Sequence, residues 1–219
     1  MAERKEKMVY TFTVEGNTEK WYLDWLEKQI NACDRAYYSV SIVSKREPSP
    51  LSFAKTINRR TTPKVVHLCD VESNESEDVN HFHAVLSELK KSQREKSIAY
   101  SLGYSNFTFE LWMILHKCNC NKALAHKRQY LELLNRAYGM RFQSLDQYKE
   151  RDEFSKCLGV LTLQNVREAI QRADRLMAIN KRDEKAATQY KGFTYYTDNP
   201  SLTIWESIRD ILGTCKLID

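Results

Sequence analysis

The feature that most constrains this chain is a junction near its start. The β-branched and aromatic run Met8-Val9-Tyr10-Thr11-Phe12 passes through Thr13-Val14-Glu15-Gly16 straight into Asn17-Thr18-Glu19-Lys20-Trp21. The first part reads as a strand, and Trp21, Tyr22, Trp25, Leu26 and Ile30 fall at the spacing of one apolar helical face. Glu15 therefore stands where a first strand hands over to a first helix. Gly16 permits a tight turn there, and Asn17 or Thr18 can cap the helix. In open α/β sheets the edge outside the carboxyl ends of the strands is where sites are built. An ordinary strand-turn-helix with a solvated acid fits the same residues, so the reading depends on a matching acidic edge later in the chain.

Strand and helix signals alternate for the first hundred residues. Tyr37 to Val43 alternates polar with apolar from Tyr38 onward and predicts a second strand, and after the break at Glu47-Pro48-Ser49-Pro50 a short helix spans Leu51 to Asn58. Lys64 to Asp70 is an apolar run short enough to be a buried parallel strand. Asp78 to about Lys91 predicts an amphipathic helix with Phe82, Val85, Leu86 and Leu89 inward, and Ser97 to Leu102 a fourth strand. The alternation predicts an α/β fold with a parallel sheet of about four strands flanked by helices. Past Gly103 the pattern changes: Asn106 can cap a helix over Phe107 to Leu115 that is apolar on nearly every face and hence buried. Helices follow from about Lys122 to Tyr138, Leu163 to Asn180 and Ser201 to Leu212. The expected organisation is an α/β core over 1–104 and a helical C-terminal extension over 105–219, packed on it as one compact unit.

Composition excludes several classes. At 219 residues the chain can bury one sizeable core, and four Pro and six Gly leave little room for disordered linkers. No apolar run approaches the about 18 residues that span a bilayer, and residues 1–7 form a charged, frayed leader without a signal-peptide core, which predicts a soluble cytoplasmic protein. Six scattered cysteines read as free thiols in a reducing compartment. No glycine loop that cradles phosphates is present, so nucleotide hydrolysis is not indicated. The net charge of +5 is mild, but its distribution is not even. Asp70, Glu72, Glu75, Glu77 and Asp78 occur without a Lys or Arg between them, whereas Lys122, Lys127, Arg128, Arg136 and Arg141 cluster after the middle. Acids held by a basic body suit a bridging cation and a polyanion; two solvated helix faces are the plainer alternative.

Asp70 ends the third strand as Glu15 ends the first, so both can share one sheet edge. If the chain stays extended past Asp70, Glu72 points to the same side. Converging carboxylates need a partner, and Mg²⁺ or Mn²⁺, which prefer oxygen ligands, is the natural one. Glu110 lies between Phe109 and Leu111 on the apolar helix, where a carboxylate must be paired or metal-bound; it either completes the metal site or meets a Lys or Arg. Lys20 and Lys45 near the sheet edge, and Lys122, Lys127 and Arg128 beyond it, are candidates for nucleic-acid phosphates. His116-x-Cys118-x-Cys120 with His126 has zinc-ligand residue types but not the spacing of a zinc knuckle, and His81-x-His83 cannot share a helix face.

Glu15-Gly16-x-Thr18-Glu19, the strand ending in Asp70-x-Glu72, and above all Ser105-Asn106-x-x-Phe109-Glu110-Leu111-Trp112-x-x-Leu115-His116 together resemble the RloB-like proteins. Asp198-Asn199-Pro200-Ser201 before a terminal helix is similar to that family's ending, so the resemblance spans about Val9 to Leu212. It implies a Toprim-like domain from bacterial restriction and abortive-infection loci, with Mg²⁺ held for cutting phosphodiester bonds of RNA, tRNA included, or DNA. By position, Glu15 is then a metal ligand or general acid/base, Asp70 and Glu72 are metal ligands, and an ATPase partner of AAA or ABC type is expected. Glu72 stands where Toprim domains more often carry Asp, and Phe107 where the family usually has Pro. The alternative is a non-catalytic Toprim-like module that binds nucleic acid or the ATPase.

Overall fold

The computed structural model describes residues 5–57 and 63–218. Strand β1 (Lys7–Val14) leads into α1 (Asn17–Asn31), followed by β2 (Ser39–Arg46), α2 (Pro50–Thr56), β3 (Lys64–Asp70), α3 (Ser76–Lys96) and β4 (Ala99–Asn106). The second half contains α4 (Glu110–Leu115), α5 (Arg128–Tyr138), α6 (Leu145–Tyr148), α7 (Arg151–Gly159), α8 (Leu163–Arg182), β5 (Ala187–Tyr190), β6 (Phe193–Tyr196), β7 (Ser201–Leu202) and α9 (Ile204–Thr214). The central sheet has the order β2-β1-β3-β4-β7, parallel except for β7, which runs against β4. The predicted four-stranded parallel sheet is present, widened by one antiparallel edge strand.

Alternation along the strands builds a core on each face of this sheet. Phe12, Val14 and Leu68 face the larger core, which also takes Leu23 and Leu26 of α1, Trp112 of α4, and residues of α5, α7, α8 and α9. Val65 and Cys69 face the smaller one, closed by Phe82 and Leu86 of α3 and by Tyr195 of β6. The α4 run is as buried as its all-apolar sequence predicts. Trp112 is fully buried, with Tyr22 edge-on at 6.2 Å, a packing whose truncation to Ala costs about 3–5 kcal/mol.

The structure shifts several boundaries for identifiable reasons. Helix α3 runs on to Lys96 because only Ser97, in the left-handed conformation at φ 51°, stops it, so β4 begins at Ala99 rather than Ser97. Strand β4 continues to Asn106, across the predicted division at 104, and the Asn106 side chain does not cap a helix. Its amide donates to the carbonyls of Tyr196 and Thr197 at 3.0 and 2.9 Å, and α4 starts only at Glu110. The last predicted helix of the extension starts at Ile204, because Ser201 and Leu202 pair with Asn106 and Ser105. The extension is also not purely helical: β5 and β6 form a hairpin whose turn residues Lys191 and Gly192 both have positive φ, the primed geometry that matches strand twist. Helix α5 begins at Arg128 rather than Lys122, and α6 and α7 fill a stretch that no sequence pattern marked. Residues 1–4 of the predicted leader and Asn58 at the end of the predicted second helix lie outside the described residues. No described helix is long and apolar enough to cross a membrane, and all six cysteines are free.

Candidate functional site

The sheet order reverses direction between β1 and β3, since β2 lies on one side of β1 and β3 and β4 on the other. A crevice opens at such a point, outside the carboxyl ends of the strands. Glu15 follows β1 and Asp70 ends β3, so the sheet brings the two acids together there. Oε2 of Glu15 accepts a 3.1 Å hydrogen bond from the backbone N–H of Asp70. Both line a cavity of about 310 Å³ together with Glu72, Glu19, Lys149 and the first turn of α1.

Glu19, quoted in the Glu15-Gly16-x-Thr18-Glu19 motif but given no role in the sequence reading, is a further member of the site. It is the third residue of α1 and 6 % exposed. Its spacing to the buried Tyr22, Leu23, Leu26 and Ile30 puts it on the inward stripe of that helix, which is the signal that could have found it. The Thr18 hydroxyl donates to its Oε2 at 2.8 Å. A Cβ on Gly16 would stand 2.6 Å from the same oxygen, so the glycine is what lets Glu19 fold back over the start of its own helix.

These acids are short of countercharge. Burial, more than any neighbour, pushes the Glu15 carboxyl up from 4.5 to about 7; the Asp70 N–H and Lys127 oppose this and Glu19 adds to it. Asp70 is held well above the usual range by burial and then by Glu19, Glu110 and Glu15, with Lys149 opposing. Glu19 is raised by burial and by Glu110, against its own N–H, the Thr18 hydroxyl and Lys149. Burial disfavours the Lys149 ammonium, but Glu110, Asp70 and Glu19 outweigh it and hold the group above its ordinary value.

Glu72 reaches the cavity by a different route from the predicted one. The chain is not extended past Asp70: Glu72 adopts φ 66°, with its N–H on the carbonyl of Phe107 at 3.0 Å. Its carboxylate pairs with Lys127, which precedes α5. Glu110 is fully buried but does not line the cavity. The Thr108 hydroxyl donates to its Oε2. Its Oε1 has no hydrogen-bond partner, only an ion-pair approach of 3.5 Å from Lys149 Nζ. Of the two roles open to Glu110 in the sequence, the structure shows pairing with a lysine.

A family model described as RloB-like protein matches residues 10–211. The chain belongs to the RloB-like family. Comparison with curated proteins and with solved structures finds no match. In this RloB-like chain the matched span runs from within β1 through most of α9 and holds every acid of the cavity.

The remaining candidates separate clearly. Lys20 pairs with Asp24 at 2.8 Å, and Lys45 approaches Glu47 at 3.9 Å. Lys122 and Arg128 are exposed, and of the predicted phosphate-binding cations only Lys127 adjoins the acids. The His116 motif is not a zinc site. His116 is fully buried, with Nδ1 2.9 Å from the Trp112 carbonyl and Nε2 3.1 Å from the Tyr22 hydroxyl, so both nitrogens are engaged, and burial lowers its pKa to about 3. Lys149 could not have been foreseen, because it follows a one-turn helix without any pattern. Also unforeseen is a second cluster behind Glu15. A ring nitrogen of His67, the Cys69 sulfur and a Glu15 oxygen lie within 4.8 Å of one another.

Proposed function

We propose that this chain is a metal-dependent nuclease that holds Mg²⁺ or Mn²⁺ on Glu15 and Asp70, with Glu72 and Glu19 beside them, and cuts phosphodiester bonds of RNA or DNA. The observation that carries this reading is the convergence of Glu15, Glu19, Asp70 and Glu72 on one cavity at the switch point of the sheet, where burial and crowding push Glu15, Glu19 and Asp70 up together. Carboxylates, buried or half-buried, that destabilise one another, with only the Lys149 ammonium facing the Glu110 Oε1 nearby, fit a hard cation that prefers oxygen ligands. Such an ion supplies a Lewis acid for the scissile phosphate and a more acidic bound water.

The chain's own groups suit the rest of the task. Glu15, raised to about 7 when no cation is present, exchanges its proton near neutral pH, so a cation arriving there displaces a proton. Lys149 and Lys127 offer ammonium groups at the cavity. The amino end of α1, where Asn17 and Thr18 line the cavity, favours an anion through its unpaired N–H groups. The family resemblance supports a setting in phage defence, tRNA among the RNA substrates, and control by an ATPase partner.

A second reading is a non-catalytic module that binds nucleic acid or the ATPase. It is favoured by Lys149, which already answers part of the charge on Glu110, Asp70 and Glu19. The deciding experiment incubates purified wild type and Asp70→Ala with total RNA and with plasmid DNA, in Mg²⁺, in Mn²⁺ and in EDTA, with and without the ATPase, and reads products on sequencing gels. Cleavage that requires the metal and disappears in Asp70→Ala supports the nuclease. Intact nucleic acid throughout, with retained binding, supports the module.

A further inference from the structure

We propose that Glu15, His67 and Cys69 form a second metal site, one that takes a thiol-seeking cation of the Zn²⁺ class. Strand register builds it. Thr13 of β1 pairs with His67 of β3, and the next side chains on the same face of each strand are Glu15 and Cys69. One ring nitrogen of His67, the Cys69 sulfur and one Glu15 oxygen lie within 4.8 Å of one another. Zinc bonds of about 2.0–2.3 Å set ligands roughly 3.5 Å apart, so the three side chains have only to close by about an ångström.

The state of His67 points to a ligand independently of this clustering. The ring is wholly buried, Nδ1 lies 2.7 Å from the Thr13 hydroxyl, and Nε2 has no partner. When Nδ1–H donates to Thr13, the lone pair remains on Nε2, which is the tautomer and the orienting contact that metal-bound histidines use. A buried Nε2 without a partner among the described residues is an unmet demand in either tautomer, and in the Nδ1–H form a cation meets it.

The donor set distinguishes this site from the all-oxygen set at the cavity. Sulfur, imidazole and one carboxylate suit zinc, whereas Mg²⁺ and Mn²⁺ avoid thiolate. Binding replaces the thiol hydrogen of Cys69 by a sulfur–metal bond and releases the proton to solvent, with no change in oxidation state. His67 and Cys69 are buried, but Glu15 lines the cavity, so the cation enters past Glu15, and water completes the coordination.

Co²⁺, which reports zinc sites by its thiolate charge-transfer absorption, tests the site in the full chain whether or not the chain cuts nucleic acid. The expected result is one thiolate-bound Co²⁺ per chain, displaced by Zn²⁺, retained in Cys120→Ala, lost in Cys69→Ala and bound at least tenfold more weakly by His67→Gln. No thiolate band in the wild type, or a band that survives Cys69→Ala, overturns the proposal. Should Cys69→Ala fail to fold by circular dichroism, Glu15→Gln on the open side of the site carries the test. A tenfold loss of Co²⁺ affinity is expected there, and unchanged affinity overturns the site.

Discussion

Glu15 and Asp70 are joined across the β1–β3 boundary by a 3.1 Å hydrogen bond from the Asp70 N–H to Oε2 of Glu15. The bond holds one carboxylate against the strand end that carries the other. It also opposes, without cancelling, the cost that burial imposes on the charge of Glu15. Two acids fixed side by side and short of countercharge cost the fold stability, which is the ground for the proposed cation.

Neutral isosteres at these two positions separate function from stability. Gln at position 15 keeps an oxygen for the Asp70 N–H, and Asn at 70 removes a carboxylate that burial and three acids disfavour. Glu15→Gln and Asp70→Asn are each expected to lower metal-dependent cleavage by at least about 100-fold, with melting temperatures in EDTA equal to or above wild type. A melting temperature lower by several degrees would assign the two acids to the fold.

The pH dependence of stability carries a signature of Glu15. Its folded pKa is raised from 4.5 to about 7, so the folded state binds the proton more tightly. The stabilisation is complete below about 4.5 and is lost as pH rises to about 7, a change on the order of 3 kcal/mol before solvent screening reduces it. The buried neutral His67 and His116, both lowered to about 3, act in the opposite sense, adding stability as pH rises to about 6.5. The comparison that isolates the acid is denaturant unfolding of wild type against Glu15→Gln in EDTA. The wild type should lose stability relative to the variant between pH 4.5 and 7, and parallel curves would show that Glu15 titrates normally.

Lys149 supplies part of the countercharge that the cavity acids lack. Its ammonium opposes the mutual repulsion of Asp70, Glu19 and Glu110. Lys149→Met should therefore lower the melting temperature in EDTA by a few degrees, and millimolar Mg²⁺ should recover most of the loss, because a ligand that binds only the folded state stabilises it. Differential scanning fluorimetry with and without Mg²⁺ reads both effects. Equal losses in the two buffers would mean that Lys149 and the cation do not answer the same charge.

The parallel sheet was legible because its strands carry compact apolar runs, and β3 matches its predicted bounds at Lys64 and Asp70. Glu15 and Asp70 were legible because each terminates such a run. The rest was hidden for physical reasons. Strand β7 is two residues long and has no period to read, and Asn106 is held through carbonyls some ninety residues away. Glu72 needed a left-handed residue that no alternation rule foresees. Lys149 acts through space on acids from three other elements. Glu19 alone was within reach, since its spacing to Tyr22, Leu23 and Leu26 marks a charged residue on a buried stripe.

Lys122 and Arg128 are exposed on the stretch that carries Lys127 toward the cavity, and a nucleic acid entering there would meet them. Lys122→Glu with Arg128→Glu should weaken binding of single-stranded RNA or DNA and reduce the slope of log affinity against log salt by about one for each phosphate no longer neutralised. Fluorescence anisotropy at several salt concentrations measures both. An unchanged slope places the nucleic-acid path elsewhere.

Glu15 belongs both to the cavity acids and to the His67–Cys69 cluster, so, if both proposed cations bind, a carboxylate held by the softer one is withdrawn from the harder one. Micromolar Zn²⁺ is therefore expected to suppress Mg²⁺-dependent cleavage in the wild type, while Cys69→Ser, which lacks the thiolate but keeps the cavity acids, resists it by at least tenfold in zinc concentration. Raising Mg²⁺ should restore activity in the wild type, because the two ions compete for Glu15 rather than act at separate places. Inhibition that is equal in Cys69→Ser and wild type would instead place Zn²⁺ among the cavity carboxylates themselves, and inhibition that Mg²⁺ does not relieve would separate the two sites.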